Sequence, residues 1–426
     1  MRAAVIDAGG PLARSQGLRW VTSLALMAGC ASTVTSNAGD AGIDAPAEEA
    51  GVDAPALDVS PTDAGSDVAP EARVCPPVID DDVPAADVPV TGEAHVVEIA
   101  LGLLHHCARM SDGTVRCRGF NSFGALGRGT VTWRELDPAA VPGLVDVVQV
   151  VATEGDITCT RHRDGTVRCW GSNRMGLLGT GHDGDSAACA PNGPCRPSPT
   201  MVPGLSDVVY LAPSSHSICA VRADGSVWCW GQSGPFLPEG GSATPVRADA
   251  VADVARLWQL FGGWIVQFRS GRYASYGVGV DPNVAVTIPP EALIDSVGGP
   301  ALVWHCCYRL RDGSVRCVGH NNQGQLGNGE SMTGEVFITE PTDPGLCGVR
   351  SIAVGFTSSC ALMGDRSVQC WGDGTSRPTP LIGLNGVASV YLTLQGGCAL
   401  RVDHSVWCWG RWSPYDSSPS PTRVEW

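Results

Sequence analysis

A pair of cysteines with nine residues between them, and an Asp-centred turn in the middle, recurs six times in this chain. The pairs are Cys107 and Cys117, Cys159 and Cys169, Cys219 and Cys229, Cys307 and Cys317, Cys360 and Cys370, and Cys398 and Cys408. The intervening segments read ARMSDGTVR, TRHRDGTVR, AVRADGSVW, YRLRDGSVR, ALMGDRSVQ and ALRVDHSVW. In four copies Trp-Gly follows the second cysteine. A seventh, degenerate copy runs from Ile265 to Ser275 and keeps the spacing without either cysteine. The copies start at 107, 159, 219, 265, 307, 360 and 398. Their mean interval is about 48 residues, which is the length of a propeller blade.

Apolar and polar residues alternate on both sides of Asp-Gly, the pattern of two strands joined by a tight turn. With Gly113 in the left-handed conformation of a three-residue turn, Cys107 falls opposite Cys117. Directly opposed residues of neighbouring strands lie within disulfide range. Each pair therefore staples its own hairpin, at roughly 2–3 kcal/mol per bridge. That suits an exported protein with short strands. Cys189 and Cys195 share one long loop, SAACAPNGPC, and are expected to pair with each other. Cys75, Cys306 and Cys347 remain, two to bond and one to stay free. A zinc site is the weaker reading of these cysteines, because no CxxC occurs.

The N-terminus reads as an export signal. Arg14 and Arg19 precede an apolar stretch from Trp20 to Ala28, which ends in Leu26-Met27-Ala28-Gly29-Cys30. The stretch is too short for a permanent membrane span. Its small-small-Cys ending resembles the lipobox of bacterial lipoproteins, which implies lipidation at Cys30 and a lipid anchor in a membrane. Ala31 after the cysteine implies, by the same resemblance, sorting to the outer membrane or cell surface. An ordinary signal peptide with a chance cysteine is the alternative. Residues 31–93 hold fourteen acids against Arg73 alone and contain no aromatic residue. Such a segment cannot bury enough apolar surface to offset its ordering entropy, so a disordered tether is expected. The expected division is thus 1–30 signal, 31–93 linker and 94–426 folded domain. Cys75, late in the linker, suggests that its end is tied to that domain.

All 28 basic residues are arginine, and the chain contains no lysine. This excludes a Walker-type phosphate loop and a Schiff-base enzyme. The net charge of −15 argues against a nucleic-acid partner. No residue pattern calls for a metal or cofactor, and none is expected.

A second element follows the hairpin: Gly119-FNSFGALGRG, Gly171-SNRMGLLGTG and Gly319-HNNQGQLGNG. A phosphate cradle is the weak reading of these glycines, since no capped helix follows. A third element, Val141-Pro-Gly-Leu-VDVVQVVA and Val202-Pro-Gly-Leu-SDVVYLA, reads as a turn feeding a buried strand. Together the three elements resemble the repeats of the regulator-of-chromosome-condensation family, in its cysteine-containing bacterial branch. The resemblance covers about residues 95–426. It implies an all-β, seven-bladed β-propeller, here with disulfide-stapled hairpins and preceded by the disordered linker. The array begins at Val96-Val-Glu-Ile-Ala and ends at Pro421-Thr-Arg-Val-Glu-Trp426, so the two ends are expected to complete one blade together.

Fold does not give function. The family's founder is a nucleotide-exchange factor that binds chromatin, but no exchange-loop motif is present to carry over. Other members act as binding proteins. The expected function is therefore a non-enzymatic cell-envelope lipoprotein that displays a propeller to a protein partner. A glycan- or cell-wall-binding propeller is the alternative, and a hydrolase ranks last. No nucleophile elbow, HExxH motif or Asp box is found, so no catalytic residue is assigned. His105 and His305 precede their hairpin cysteines equivalently and are read first as strand-end residues, with metal or catalytic roles behind. Trp170, Trp230, Trp371 and Trp409 are expected between blades. Trp133, Trp412 and Trp426 lie outside that register and are read as loop packing, with a binding patch as the alternative. Blades two and four are the most irregular and the best candidates for specificity.

Overall fold

The computed structural model describes Cys75 and residues 92–426, except 175, 183–188, 190–192, 261–262, 278–288, 290–291, 295–304, 333–336 and 413–416. They belong to one compact unit, Pro70–Trp426. The expected signal segment with Cys30, and the expected linker apart from Cys75, Gly92 and Glu93, lie outside the described residues.

The fold is an all-β propeller of seven antiparallel sheets. Blade 1 spans 96–140, blade 2 147–201, blade 3 208–247, blade 4 254–276, blade 5 292–342, blade 6 349–380 and blade 7 387–424. Six blades have four strands in sequence order, and blade 4 has three among the described residues. The first strand of each blade is the VDVVQV-type segment, as in Val147–Ala152. The next two strands are the cysteine hairpin, and the outermost strand is largely exposed, as in Arg134–Ala140. The fourth strand of each four-stranded blade carries proline: Pro138, Pro197, Pro245, Pro341, Pro378 and Pro419 among them. A proline lacks the N–H that a further strand would pair with, so these edges resist sheet extension.

The hairpin register follows from the turn. Cys107 faces Cys117, and the other five pairs face each other likewise, with Cα atoms 4.0–4.1 Å apart. The degenerate copy keeps the same register, with Ile265 opposite Ser275. Gly113, Gly165, Gly225 and Gly313 sit at φ 78–79°. In blades 6 and 7 Arg366 and His404 hold that position at φ 64° and 66°. The preceding Asp explains the rest of the motif. Asp112 Oδ1 accepts hydrogen bonds from both the N–H and the hydroxyl of Thr114, at 2.9 and 2.7 Å. The same pair of hydrogen bonds recurs at Asp164, Asp224, Asp312, Asp365 and Asp403. DG[ST] is thus a turn clamp, not an acidic site.

There is no single central core. Seven hydrophobic clusters form, one at each blade junction. The last of them packs Val96, Ile99 and Met110 of blade 1 against Leu400, Val406 and Trp412, and this closes the ring. The expectation of a blade shared by the two chain ends is corrected here. Val96–Leu101 pairs with His105–Met110 inside blade 1, and Ser418–Val424 pairs with Val406–Arg411 inside blade 7. Val96 takes the register of Val147, so blade 1 begins with its own first strand, and each blade is continuous in sequence. Apolar packing and a few polar contacts therefore do the closing. Arg116 Nη1 donates to the Trp426 carbonyl at 3.0 Å, and the rings of His95 and His404 lie 3.7 Å apart.

Candidate functional site

The glycine-rich loops join neighbouring blades. In blade 1, Asn121 Oδ1 accepts the Leu126 N–H at 3.1 Å and its Nδ2 donates to the Thr130 carbonyl, which folds GFNSFGALGRG into a compact loop. Gly129 N then donates to Pro197 O in the outer strand of blade 2, and Trp170 Nε1 of blade 2 donates to Ala125 O at 2.8 Å. Gly181 N to Ala243 O with Trp230 to Leu177 O, and Gly329 N to Ser376 O with Trp371 to Gln325 O, repeat the clasp. At Gly124 an added Cβ would stand 2.4 Å from the Pro197 Cα, so only glycine allows this approach. Trp170, Trp230, Trp371 and Trp409 are all buried between blades. The loops bind the next blade rather than a phosphate.

His105 and His305 are fully buried. His105 Nε2 bonds Thr158 Oγ1 of blade 2 at 2.9 Å, and His305 Nε2 bonds Ser359 Oγ of blade 6 at 2.8 Å. The hydroxyls occupy equivalent strand positions, so this is a second repeated tie between blades. Burial lowers His105 to about 4 and His305 to about 3, which keeps both imidazoles neutral at physiological pH. His105 Nδ1 makes no hydrogen bond and lies 4.0 Å from Asp156 Oδ1, also unpaired. Burial raises Asp156 to about 6, opposed by Arg174.

Cys75 bonds Cys347, and among the described residues Cys306 is the free cysteine. Cys306 lies in the core between blades 4 and 5, where burial pushes its thiol up to about 12 and removes its nucleophilic form. Cys189 joins Cys195, with Cα atoms 5.9 Å apart. Trp412 is buried in the cluster that closes the ring, and Trp426 packs against it, so neither is free to build an aromatic patch. Trp133 is 66% exposed, edge-on to Phe120. Among the described residues no group of three His, Cys, Asp or Glu is placed to hold a metal. At the loop end a cavity of about 270 Å³ opens between blades 2 and 3, lined by Arg174, His182, Gln232 and Ser242 among others.

One cluster has no counterpart in the sequence reading. First strands of blades 1 to 4, and of 6, 7 and 1, touch in succession around the axis. The first strand carries a bulge near its start, followed by a polar residue: Glu98, Gln149, Arg256, Ser351 and Ser389. Blade 3 places Tyr210 at the same point. Glu98 and Gln149 each reach the first strand of the next blade. Arg109 Nε donates to Glu98 Oε2 at 2.8 Å, and the Val150 N–H reaches the same oxygen at 3.3 Å. Gln149 both donates to and accepts from the Leu211 backbone, at 2.9 Å each. Burial raises the Glu98 carboxyl, with Arg109 and Arg161 opposing. Burial also raises Tyr210, and raises Tyr391 to about 12, with the Glu98 charge adding to both. Five blades therefore share one electrostatic cluster on the axis. Its signal was a polar third residue in otherwise apolar strands.

The regulator of chromosome condensation (RCC1) repeat model matches residues 96–125 and 349–377. Each match runs from a first strand through the hairpin, the first ending in the loop that follows and the second in the outermost strand of blade 6. The probable E3 ubiquitin-protein ligase HERC4 of Rattus norvegicus is 24% identical over 183 residues, 42% of this chain and 16% of that protein. The chain thus spans about a sixth of that relative's length. Protein pim1 of Schizosaccharomyces pombe is 22% identical over 334 residues, covering 66% of this chain and 60% of its own. Among solved structures, Prp20p of Saccharomyces cerevisiae aligns with a TM-score of 0.44 and 22% identity, over 78% of this chain and 77% of that one. The chain thus carries segments similar to the RCC1 repeat in its first and sixth blades, within a propeller of seven blades.

Proposed function

We propose that this protein is a non-enzymatic lipoprotein of the cell envelope that displays its propeller to a protein partner. The observation that carries the reading is the engagement of the repeated reactive residues in structure. His105 and His305 tie blades together, the hairpin cysteines are paired, and Cys306 is sealed in a core. What remains accessible includes recognition surface at the loop end, with the cavity between blades 2 and 3. The disulfide load suits an oxidising compartment, in keeping with the export signal and Cys30. Specificity is assigned to the irregular blades 2 and 4. A glycan-binding role has less support, because Trp412 and Trp426 are engaged in closing the ring.

The test is cross-linking in intact source cells followed by mass spectrometry, with carboxylate-directed or photo-activated reagents because the chain lacks lysine. One dominant protein partner, lost from the membrane fraction with Cys30→Ala, is the expected result. Recovery of wall or glycan material without protein overturns the protein-partner reading. Membrane association that survives Cys30→Ala overturns the lipid anchor.

A further inference from the structure

The junction that closes the ring is built differently from the others. At junctions 1/2, 2/3, 3/4, 5/6 and 6/7 the first residue of a blade donates its N–H to the hairpin-turn carbonyl of the blade before. Val147 does so to Gly113 and Val387 to Arg366, and all five bonds measure 3.0–3.1 Å. At junction 7/1 the corresponding residues are Val96 and His404, and no such backbone bond joins them among the described residues. The ring of His404 lies instead 3.7 Å from that of His95, the residue before Val96. Arg118 stands where the clasping tryptophan would be, and each chain end stays in its own sheet. Toward the loop end of the same junction His106 is buried, and neither of its ring nitrogens has a hydrogen-bond partner.

The charged groups around the ring pair are Asp403, held by Arg401 at 3.3 Å, and Arg423 of the last strand, held by Glu425 at 3.0 Å. On the blade 1 side the Ser111 hydroxyl lies 3.4 Å from His95 Nδ1, and Asp112 follows it in the turn. Around His106 stand His105 on its own strand, Arg118 on the next, and the Trp412 backbone of blade 7. Two imidazoles in ring contact repel once both are charged, and a buried imidazole without partners resists charging. Burial and His95 lower His404, against the Val96 backbone and Asp403. Burial, His105 and Arg118 lower His106 to about 3, against the Trp412 backbone. An opened seam returns these rings to water, so below about pH 6.5 the open ring binds protons that the closed one does not, and closure weakens as pH falls. His105 and His305 are buried too, but junctions 1/2 and 5/6 keep both the backbone bond and the tryptophan clasp.

We propose that the junction of blades 7 and 1 is an acid-released latch. The His95–His404 contact and the neutral His106 hold the ring shut near neutral pH. Protonation parts the two blades and uncovers the apolar faces of Val96, Ile99, Met110, Leu400, Val406 and Trp412.

The experiment is hydrogen exchange read by mass spectrometry on the full, oxidised chain near pH 7.5 and near pH 5, with each rate corrected for the intrinsic pH dependence of amide exchange. Val96–Leu101 reports on the seam. Val208–Pro213 reports on junction 2/3, which has both the backbone bond and the Trp230 clasp. For His106 alone, passing from about 3 in the closed ring to the ordinary 6.5 in the open one favours opening about thirtyfold more at the lower pH. Corrected exchange at the seam should therefore rise at least tenfold, with junction 2/3 within threefold. His404→Gly adopts the residue that five other blades use at this turn position, and His106→Ile adopts that of Ile218 in blade 3. Each should lower the rise at least twofold, and together they should leave it within threefold. A variant that is merely less stable raises both rates and leaves their ratio unchanged. If His106→Ile fails to fold, His404→Gly alone decides, and a ratio equal to the parent's overturns the ring pair as the latch. No rise at the seam, a rise shared equally by both segments, or a rise that survives the double variant overturns the proposal.

Discussion

Trp170 of blade 2 donates its indole N–H to the carbonyl of Ala125 in blade 1, 2.8 Å away across the blade junction. The bond ties the end of one hairpin to the loop of the preceding one. It explains why Trp-Gly and the glycine-rich loop recur together: each serves the other's neighbour. Blade 1 has Arg118, blade 4 Tyr276 and blade 5 Val318 at the tryptophan position, so junctions 7/1, 3/4 and 4/5 lack this clasp.

Trp170→Phe keeps the ring in its core but leaves the Ala125 carbonyl without its indole partner. The expected loss is about 1–2 kcal/mol of stability, read as a lower midpoint in chemical denaturation. A midpoint equal to the parent's would show that the packing alone holds the junction.

Gly124→Ala should be worse. The residue sits at φ 74° and its Cβ would meet the Pro197 backbone, so the loop must lift from blade 2. A loss of roughly 2–4 kcal/mol is expected. Hydrogen exchange should show the change confined to the junction of blades 1 and 2.

Arg366→Gly tests the opposite direction. Arg366 holds a left-handed turn position that glycine takes in five other blades. Relief of the backbone strain should raise stability by about 0.5–1 kcal/mol, after the entropy that glycine adds to the unfolded chain. A destabilised variant would mean that the arginine side chain contributes more than its backbone costs.

Asp156 should make stability depend on pH. Burial raises its carboxyl from an ordinary 3.8 to about 6. Between those values the unfolded chain releases a proton that the folded chain keeps, so stability falls as pH rises from about 4 to about 6 and stays lowered above. Asp156→Asn retains the left-handed backbone that asparagine accepts and can donate to His105 Nδ1. The variant should match the parent near pH 4 and exceed it above pH 6, by on the order of 2 kcal/mol. Parallel melting curves across that range would refute the assignment.

Removal of one hairpin bridge, as Cys219→Ala/Cys229→Ala, should cost roughly 2–3 kcal/mol. Cys306→Ala removes a free thiol from a packed core, and its smaller cost should come from the cavity alone. Denaturation midpoints of the two variants, each against the parent, distinguish the contributions.

Much of this architecture is local, which is why it could be read from residues. The turn Asp, its glycine and the following Ser or Thr lie within a few positions of one another, and hydrogen bonds that short need no knowledge of the fold. Cys107 faces Cys117 because the turn sets the register. Seven such hairpins at blade-length intervals specify seven blades. The free member of the three leftover cysteines was not legible, because Cys75 and Cys347 meet across 272 residues of sequence. Nor was the closure of the ring. Apolar terminal segments suit a shared blade as well as two separate ones, and the choice depends on which register each strand finds when packed.

The axial cluster shows the same division more sharply. Hydrophobic alternation places Val147 and Val150 in a core and leaves Gln149 merely polar. That Glu98, Arg161, Tyr210, Arg256 and Tyr391 meet follows from ring geometry, which brings first strands of different blades to one axis. Strand pattern and turn chemistry act over a few residues and are written in the chain. Convergence acts over hundreds, and it exists only once the blades have closed on one another.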